Sequence, residues 1–434
     1  MRNIQRVSDA YLCSNCGACK AICPKDAISF VKTSVGRLTA SVKRDCIDCG
    51  LCEDVCPSID RQGLHLRFED KYVGHIDSVY VGYSNMDHYF RNAQSGGICA
   101  TILHYLFEKG HINAALVTIM TEGNTPKVQA SIITSVSEIE SCQKSCYTPV
   151  ELLSLLKVAA GYNSLAVVGL PCHIQGLVSL MGKSKRFSNV KYKIGLVCDR
   201  TMCETVQDVF KSFVRFQSMK IDWRRKDSII NGLYYPYVSA PVVAYNSSGE
   251  SVVFPRSWRF ALKDMFTPPR CRVCWDKINV FADVVLGDPW RMPDTDEKHG
   301  SSLVLTRTGV GEKLITDMIY CGCLNLDKRP IEQALIGQLI EKRREQVAAY
   351  SSGMNALHKT IDSYLCESEK ECPQSLLDET QHVLKSFFSL ELETKEKVVK
   401  VGRKVIKNAI WHTRIYNNIL WRIGRKLKNI IKNI

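Results

Sequence analysis

The chain has 434 residues, 45% of them hydrophobic and 24% charged, the composition of a soluble globular protein with room for two or three domains. No run of eighteen apolar residues occurs and the opening "MRNIQRVSDAYLC" has no apolar secretory core, so neither a membrane span nor export is expected, and the cytoplasm is. The net charge of +14 is unevenly placed: eleven Lys and Arg and no acid lie between Lys397 and Ile434, so the body is only slightly basic and no nucleic-acid partner is expected.

Twenty cysteines is a high count for a chain with no export signal. Cytosolic thiols stay reduced, so metal binding is a better reading than disulfides. "CSNCGACKAICP" (13–24) and "CIDCGLCEDVCP" (46–57) are one internal repeat, C-x2-C-x2-C-x3-C-P. This is the bacterial ferredoxin pattern for two 4Fe-4S clusters. Three thiolates on one tight turn reach three corners of a cube, and the fourth Cys of each run serves the other cluster. One cluster is expected on Cys13, Cys16, Cys19 and Cys56, the other on Cys46, Cys49, Cys52 and Cys23. Zinc sites use pairs separated by longer gaps. Short strands and turns are expected between the runs, in a domain over 1–70.

Further on, "SVYVGYS" (78–84) and "AALVTIM" (114–120) read as buried strands. Between them Ser95, Gly96 and Gly97 precede a helical pattern at Ile98, Ile102, Tyr105 and Leu106. Such a turn suits an anion, although most Gly-Gly turns are only turns. In "SLAVVGLPCHIQGLVSLM" (164–181), Cys172 follows a strand and opens a helix. Ligands bind at such strand ends in open α/β sheets, and the helix dipole favours a thiolate there. "YKIGLVCDRTMC" (192–203) repeats the arrangement with Cys198, and Cys203 lies five residues on. "CRVCWDKINVFADVVLGDPW" (271–290) holds a second Cys-x-x-Cys pair, then a buried strand ended by Gly287 and Asp288. Cys271 and Cys274 are half of a four-thiolate site that Cys172 and Cys198 would complete. On spacing alone, a zinc site, a redox dithiol and two unrelated pairs all remain open.

These motifs, in order, resemble those of the coenzyme F420 hydrogenase/dehydrogenase beta-subunit family in its form with an N-terminal ferredoxin domain. The resemblance covers residues 1–325. It rests on the cysteine repeat, "NAQSGGICATILHYLFEKGHI", "VVGLPCHIQGL", "LVCDR", "FTPPRCRVCWDKINVFADVVLGDPW" and "HGSSLVLTRTGVGEKLI". It implies FAD, with a third 4Fe-4S cluster beside it on Cys172, Cys198, Cys271 and Cys274. It also implies that Ser95, Gly96 and Gly97 belong to the flavin site, and that Asp288 and Trp290 lie near cluster and flavin. Asp288 is a candidate catalytic residue there, and is equally read as a strand-end turn residue. His173 stands where the family often has Gln, and is a candidate proton donor, with a helix-start role as its plainer reading. Ser145-Cys146-Tyr147 replaces the usual Ser-Lys-Tyr. "CDRTMC" replaces Cys-His-Gly-Val-Pro, so Cys203 rivals Cys198 as ligand. Cys142 and Cys146 are read as spare loop thiols.

Residues 326–395 read as helices packed on the core. In the tail, 396–434, a helix would place Val405, Ala409, Tyr416 and Ile419 opposite Arg403, Lys407 and Arg414. That is the composition of an interfacial helix on anionic lipid at the inner membrane surface. A partner-binding helix or a solvated tail are the alternatives.

The fold expected is therefore an α+β ferredoxin-like domain (1–70), an α/β flavin-binding domain (75–325), a helical extension and a basic tail. The function expected is an iron–sulfur flavoenzyme that relays electrons through 4Fe-4S clusters to FAD, for hydride-equivalent chemistry on an organic acceptor. By analogy with bacterial relatives, that acceptor is a small-molecule or lipid-linked substrate in surface polysaccharide biosynthesis. The alternative is a non-catalytic electron-transfer subunit that feeds a partner enzyme. Either needs an external electron donor or acceptor, a ferredoxin or reductase.

Overall fold

The computed structural model describes residues 2–230, 232–359 and 373–410. The N-terminal unit is built on its cysteine runs. Each run enters a short helix, Ala18–Ile22 or Leu51–Asp54, through a glycine in the left-handed region: Gly17 at φ +88° and Gly50 at φ +78°. A side chain is disfavoured at that φ, so glycine lets the chain wrap around the thiols. Between the runs, β1 (Ile28–Lys32) and β2 (Leu38–Val42) form an antiparallel hairpin, as expected. Ile4, Val7, Leu12, Ile28 and Ile59 pack with Cys13, Cys19, Cys52 and Cys56 as its core.

The second unit is a mixed α/β domain. Its strands are β3 (Ser78–Ser84), β4 (Ala114–Thr121), β5 (Lys127–Ile133), β6 (Leu165–Gly169) and β7 (Val190–Leu196). After an excursion come β13 (Val284–Gly287), β14 (Ser302–Thr306) and β15 (Leu324–Arg329). The excursion itself holds β8 (Lys220–Asp222), β9 (Ser228–Ile230), β10 (Leu233–Tyr235), β11 (Val242–Tyr245) and β12 (Ser251–Phe254).

The main sheet has the order β15-β3-β14-β13-β7-β6-β4-β5. Its centre, β13-β7-β6-β4, is parallel, and both flanks are antiparallel. Alternate residues serve opposite faces, as the two-residue strand repeat requires. Leu116, Val167, Val285 and Leu303 face one core, while Ala115, Ala166, Leu286 and Val304 face the other. This two-sided burial explains why these strands read as continuous apolar runs.

The excursion was not foreseen from the sequence. Its sheet, β12-β11-β8, covers a third core around Trp223, Phe210 and Phe266. Its strands are only three or four residues long, too short to show a periodic pattern.

The C-terminal expectation needs correction at its start. Residues 326–329 belong to β15, the edge strand of the main sheet, and helix begins at Ile331–Gly337. Helix Gln374–Glu391 returns to the N-terminal unit, where Arg37 meets Glu391 at 2.7 Å with both side chains buried. Residues 395–410 are helical, and their Val398 and Ile406 are buried in the third core. That face is used inside the chain and is not free for lipid. Residues 411–434, and with them most of the lipid contact expected of the tail, lie outside the described residues. No described helix is long and apolar enough to cross a membrane.

Candidate functional site

The N-terminal cysteines fall into two crossed groups. The charges that bear on Cys19 are those of Cys16, Cys13, Cys56 and Cys52, and those on Cys56 include Cys16 and Cys13. Cys23, Cys46, Cys49 and Cys52 line one small cavity. The fourth Cys of each run thus sits with the first three of the other. Burial pushes the Cys16 and Cys52 thiols up to about 11. Thiolates there need positive charge, which bound iron supplies. Among the described residues no three His, Cys, Asp or Glu side chains are gathered closely enough for a single metal ion. A cube asks for a different arrangement, one thiolate at each of four separate irons.

A third group of thiols lies over the parallel centre of the main sheet. Cys172 follows β6 and starts helix Pro171–Lys183, Cys198 follows β7, and Cys271 and Cys274 lie at the helix Pro269–Arg272. The charges that bear on Cys172 are those of Cys16, Cys274, Cys198 and Cys271. Those on Cys198 include Cys271 and Cys274. Burial raises both thiols, and their neighbours raise them further.

Cys203 is elsewhere. It is fully buried beside Phe210 and Trp223 in the third core, and its charged neighbours are Glu391, Arg37 and Cys271. Of the two rivals, Cys198 is therefore the one grouped with the other three. Arg343, from the helical extension, donates to the carbonyls of Cys274 at 2.8 Å and Cys271 at 2.9 Å. Thr201 Oγ1 lies 3.4 Å from Cys271 Sγ.

This group opens onto a cleft of about 870 Å³, lined by Cys198, Ser95, Gly97, His173, Asp288 and Trp290 among others. That volume is in the upper part of the range for cofactor sites. The cleft brings together most of the residues expected to serve a flavin. Gly97 caps helix Ile98–Glu108, whose N-terminus therefore faces the cleft. Gly96 has another task. Its N–H donates to Ser302 Oγ at 2.9 Å, and an added Cβ would stand 2.6 Å from the Gly82 carbonyl. It is a packing glycine under the turn, and is not part of the cleft wall.

His173 corrects the proton-donor expectation. Its Nδ1 accepts from the Leu170 N–H at 3.2 Å and its Nε2 lies 3.1 Å from the Val150 carbonyl. Burial pushes it down to about 4, so it is neutral with both nitrogens engaged. It caps its own helix, the plainer of the two sequence readings.

Asp288 is likewise committed as an anchor. It holds Arg224 in a two-pronged ion pair and accepts from Tyr237 Oη at 2.7 Å. Burial raises its carboxyl, but Arg224 and Tyr237 more than offset this, so it stays below the usual carboxylate range. Trp290 stacks on Tyr237 with ring centroids 5.5 Å apart, and Arg224 and Arg256 lie over the Trp290 ring at 5.5 and 5.7 Å.

Sequence reasoning missed the basic wall. Arg224, Arg256, Arg259, Lys263 and Arg343 all line the cleft, against few acids. Arg256, Arg259 and Lys263 recur at helical spacing on Arg256–Phe266, a signal that could have found them. Arg224 and Arg343 gave no local signal. Thr148 Oγ1 is buried at the cleft without a hydrogen-bond partner, a polar atom free for a ligand. Lys144, beside the Ser145-Cys146-Tyr147 replacement, is tied to Asp222 at 3.1 Å. Cys99, Cys142 and Cys146 also line the cleft.

Comparison with known proteins agrees with this layout. Residues 12–59 match the model of the 4Fe-4S dicluster domain. Residues 79–157 and 162–331 match the N-terminal and C-terminal models of the coenzyme F420 hydrogenase/dehydrogenase beta subunit. A subunit of the F(420)H(2) dehydrogenase of Methanosarcina mazei is 28% identical over 362 residues, covering 79% of this chain and 92% of that protein. The coenzyme F420-dependent sulfite reductase of Methanocaldococcus jannaschii is 24% identical over 79% of this chain, which spans only 52% of that protein. A chain of the F420-reducing NiFe hydrogenase complex from Methanosarcina barkeri shares the fold, with a TM-score of 0.53 at 19% identity over 68% of this chain and 99% of that one. The two beta-subunit matches together span more than half of the sequence, and the chain belongs to the coenzyme F420 hydrogenase/dehydrogenase beta-subunit family, with a 4Fe-4S dicluster domain at its N-terminal end.

Proposed function

We propose that the chain is an iron–sulfur flavoprotein that passes electrons between a protein partner and a two-electron carrier in the cleft. One observation carries this reading: three groups of four thiols follow one another from the surface to the cleft. The group with exposed Cys49 is outermost, and its Cys52 bears on Cys19 of the next group. Cys16 of that group bears on Cys172 of the third, and Cys198 of the third lines the cleft. Each group would hold one 4Fe-4S cluster.

The cleft residues fit FAD. Ser95, the helix N-terminus at Gly97 and Thr148 offer donors to polar edges or phosphate. Arg224, Arg256 and Arg259 would meet a pyrophosphate, with Asp288 and Tyr237 holding Arg224 in place. Bound FAD exchanges single electrons with clusters and hydride equivalents with an organic carrier. The protein's own contribution is position, charge and exclusion of water. A basic cleft suits an anionic carrier, and the relatives named above make coenzyme F420 the first to test. Nothing in those relatives supports a lipid-linked sugar as substrate, and surface polysaccharide biosynthesis is not part of this reading.

A second reading, an electron-transfer subunit without turnover of its own, is favoured by relatives that are named as subunits. Turnover of the isolated chain with reduced viologen and a panel of acceptors separates the two.

The test of the main reading is anaerobic purification with iron, sulfide and flavin analysis. About twelve irons and about one FAD per chain are expected. Eight irons without flavin would sink it. Cys271→Ser should remove about four irons and spare the other clusters.

A further inference from the structure

Among the described residues, two cysteines stand apart from every group above. Helix Gly309–Tyr320 passes into edge strand β15 through Cys321, Gly322 and Cys323. Gly322 adopts φ +73°, the left-handed turn that ends the helix. The turn is held from both sides. Cys321 N–H donates to the Asp317 carbonyl at 3.0 Å and Cys323 N–H to the Met318 carbonyl at 2.9 Å. Asn85 donates its backbone N–H to the Cys323 carbonyl at 3.0 Å and its side-chain amide to Gly322 at 2.8 Å. The two sulfurs are thereby brought to the same side, 2.9 Å apart. This is about 0.9 Å longer than a disulfide bond.

Exposure divides the pair. Cys321 is exposed, while Cys323 is half-buried. Burial, then the hydrogen bond that the Cys323 thiol makes to Cys321, pushes the Cys323 thiol up to about 11, and Lys109 opposes this. Cys321 is the sulfur an incoming reagent meets first, and Cys323 is held in reserve behind it.

We propose that Cys321 and Cys323 form a thiol–disulfide exchange site whose co-reactant is a small-molecule or peptide disulfide, RS–SR. The Cys321 thiolate attacks one sulfur, the RS–SR bond breaks, and RS⁻ leaves and takes up the proton that Cys321 lost. Cys323 then attacks the Cys321 sulfur of the mixed disulfide, the second RS⁻ leaves, and it takes up the proton that Cys323 lost. Two protein thiols are oxidised to one disulfide, and one external disulfide is reduced to two thiols, so electrons and protons balance. A bond across one intervening residue closes a small, exposed ring. Such disulfides are the easily reduced ones, so the site is suited to reversible use. It also ties the end of the helix to β15 while closed.

The test uses the full chain, purified anaerobically with its clusters and equilibrated in buffers of reduced and oxidised glutathione. Free thiols are alkylated and the peptides mapped by mass. The peptide containing Cys321 and Cys323 should lose two hydrogens across a defined redox range while iron content stays constant. In Cys323→Ser, a glutathione adduct on Cys321 should accumulate. In Cys321→Ser, reaction at this peptide should slow about tenfold or more. Alkylation of both thiols in every buffer would overturn the proposal, and so would a wild-type protein that stops at the glutathione adduct. Neither variant touches the cleft, so both should keep wild-type iron content and electron transfer.

Discussion

Cys16 and Gly176 come from different units of the chain and meet in the interior: a Cβ placed on Gly176 would stand 3.3 Å from Cys16 Sγ. Gly176 is one turn along the helix that Cys172 begins. The same Cβ would lie 3.2 Å from Ala18 Cβ and from Leu153 Cδ1. The absence of a side chain here is what lets two thiol groups approach. Gly176→Ala asks its neighbours for a few tenths of an ångström. Its overpacking cost of about 1–3 kcal/mol is partly offset by about 1 kcal/mol of better helix propensity. Gly176→Leu has no such room. It should slow electron delivery from the N-terminal clusters to the cleft by about tenfold or more, measured by stopped-flow reduction of a bound acceptor. An unchanged rate would show that electrons do not cross at this contact.

Arg343 supports the third thiol group from a helix more than sixty residues away in sequence. Its charge also bears on Cys198 and Cys274 and favours their thiolates. Positive charge stabilises the reduced, more negative state of a cluster. Arg343→Gln should shift the potential of the cluster proposed on this group to more negative values, read by a redox titration followed by EPR. Arg343→Leu strands two buried carbonyls as well, and should lower iron by about four per chain.

The Asp288–Arg224 pair predicts a pH dependence. The folded carboxyl lies below its usual range, so it contributes stability that is fully present above the unfolded carboxylate value of about 3.9. That contribution is lost as pH falls through the folded value. The stability difference between wild type and Asp288→Asn should therefore be constant from neutral pH down to about pH 5, then narrow with further acid. Denaturant midpoints against pH measure it. A difference that grows on acidification would mean the carboxyl is not the ionised partner described above.

Arg37 and Glu391 join the N-terminal unit to the C-terminal helices as a buried ion pair, and Thr33 Oγ1 adds a bond to Glu391 at 2.8 Å. Removing one partner leaves a buried charge without compensation, at a cost of about 3–5 kcal/mol. Glu391→Ala should lower the unfolding midpoint accordingly and loosen the hairpin β1–β2, seen as faster hydrogen exchange there. Arg37→Met with Glu391→Leu should recover much of the loss, because the pair has more to lose by being broken than by being replaced.

The eight N-terminal cysteines were legible because their geometry is local: three thiolates on one turn need only the spacing that the sequence displays. The buried strands were legible for a similar reason, since two-sided burial writes itself as an apolar run. The short strands of the excursion left no such pattern. Nor did the start of the helical extension, where "LNLDKR" is a polar edge strand with exposed positions.

Spacing and apolar runs alone were enough for the N-terminal dicluster domain, the strand ends at Cys172 and Cys198, and the cysteine pair at 271 and 274. Which of Cys198 and Cys203 stands with the other three thiols was left to the tertiary structure. Cys198 and Cys203 are five residues apart, yet one faces the space above the parallel strands and the other is drawn into an apolar core with Phe210 and Trp223. His173 and Asp288 were found as residues, but their partners, the Val150 carbonyl and Arg224, come from distant segments. Burial keeps His173 neutral against the pull of the Val150 carbonyl, while Arg224 keeps Asp288 ionised, and both support the cleft. A buried arginine reads in sequence like any solvated one. Its role depends on the acid or carbonyl that the fold brings to it, as Arg224 depends on Asp288 and Arg343 on the cysteine carbonyls, because a guanidinium leaves water only where such partners replace it.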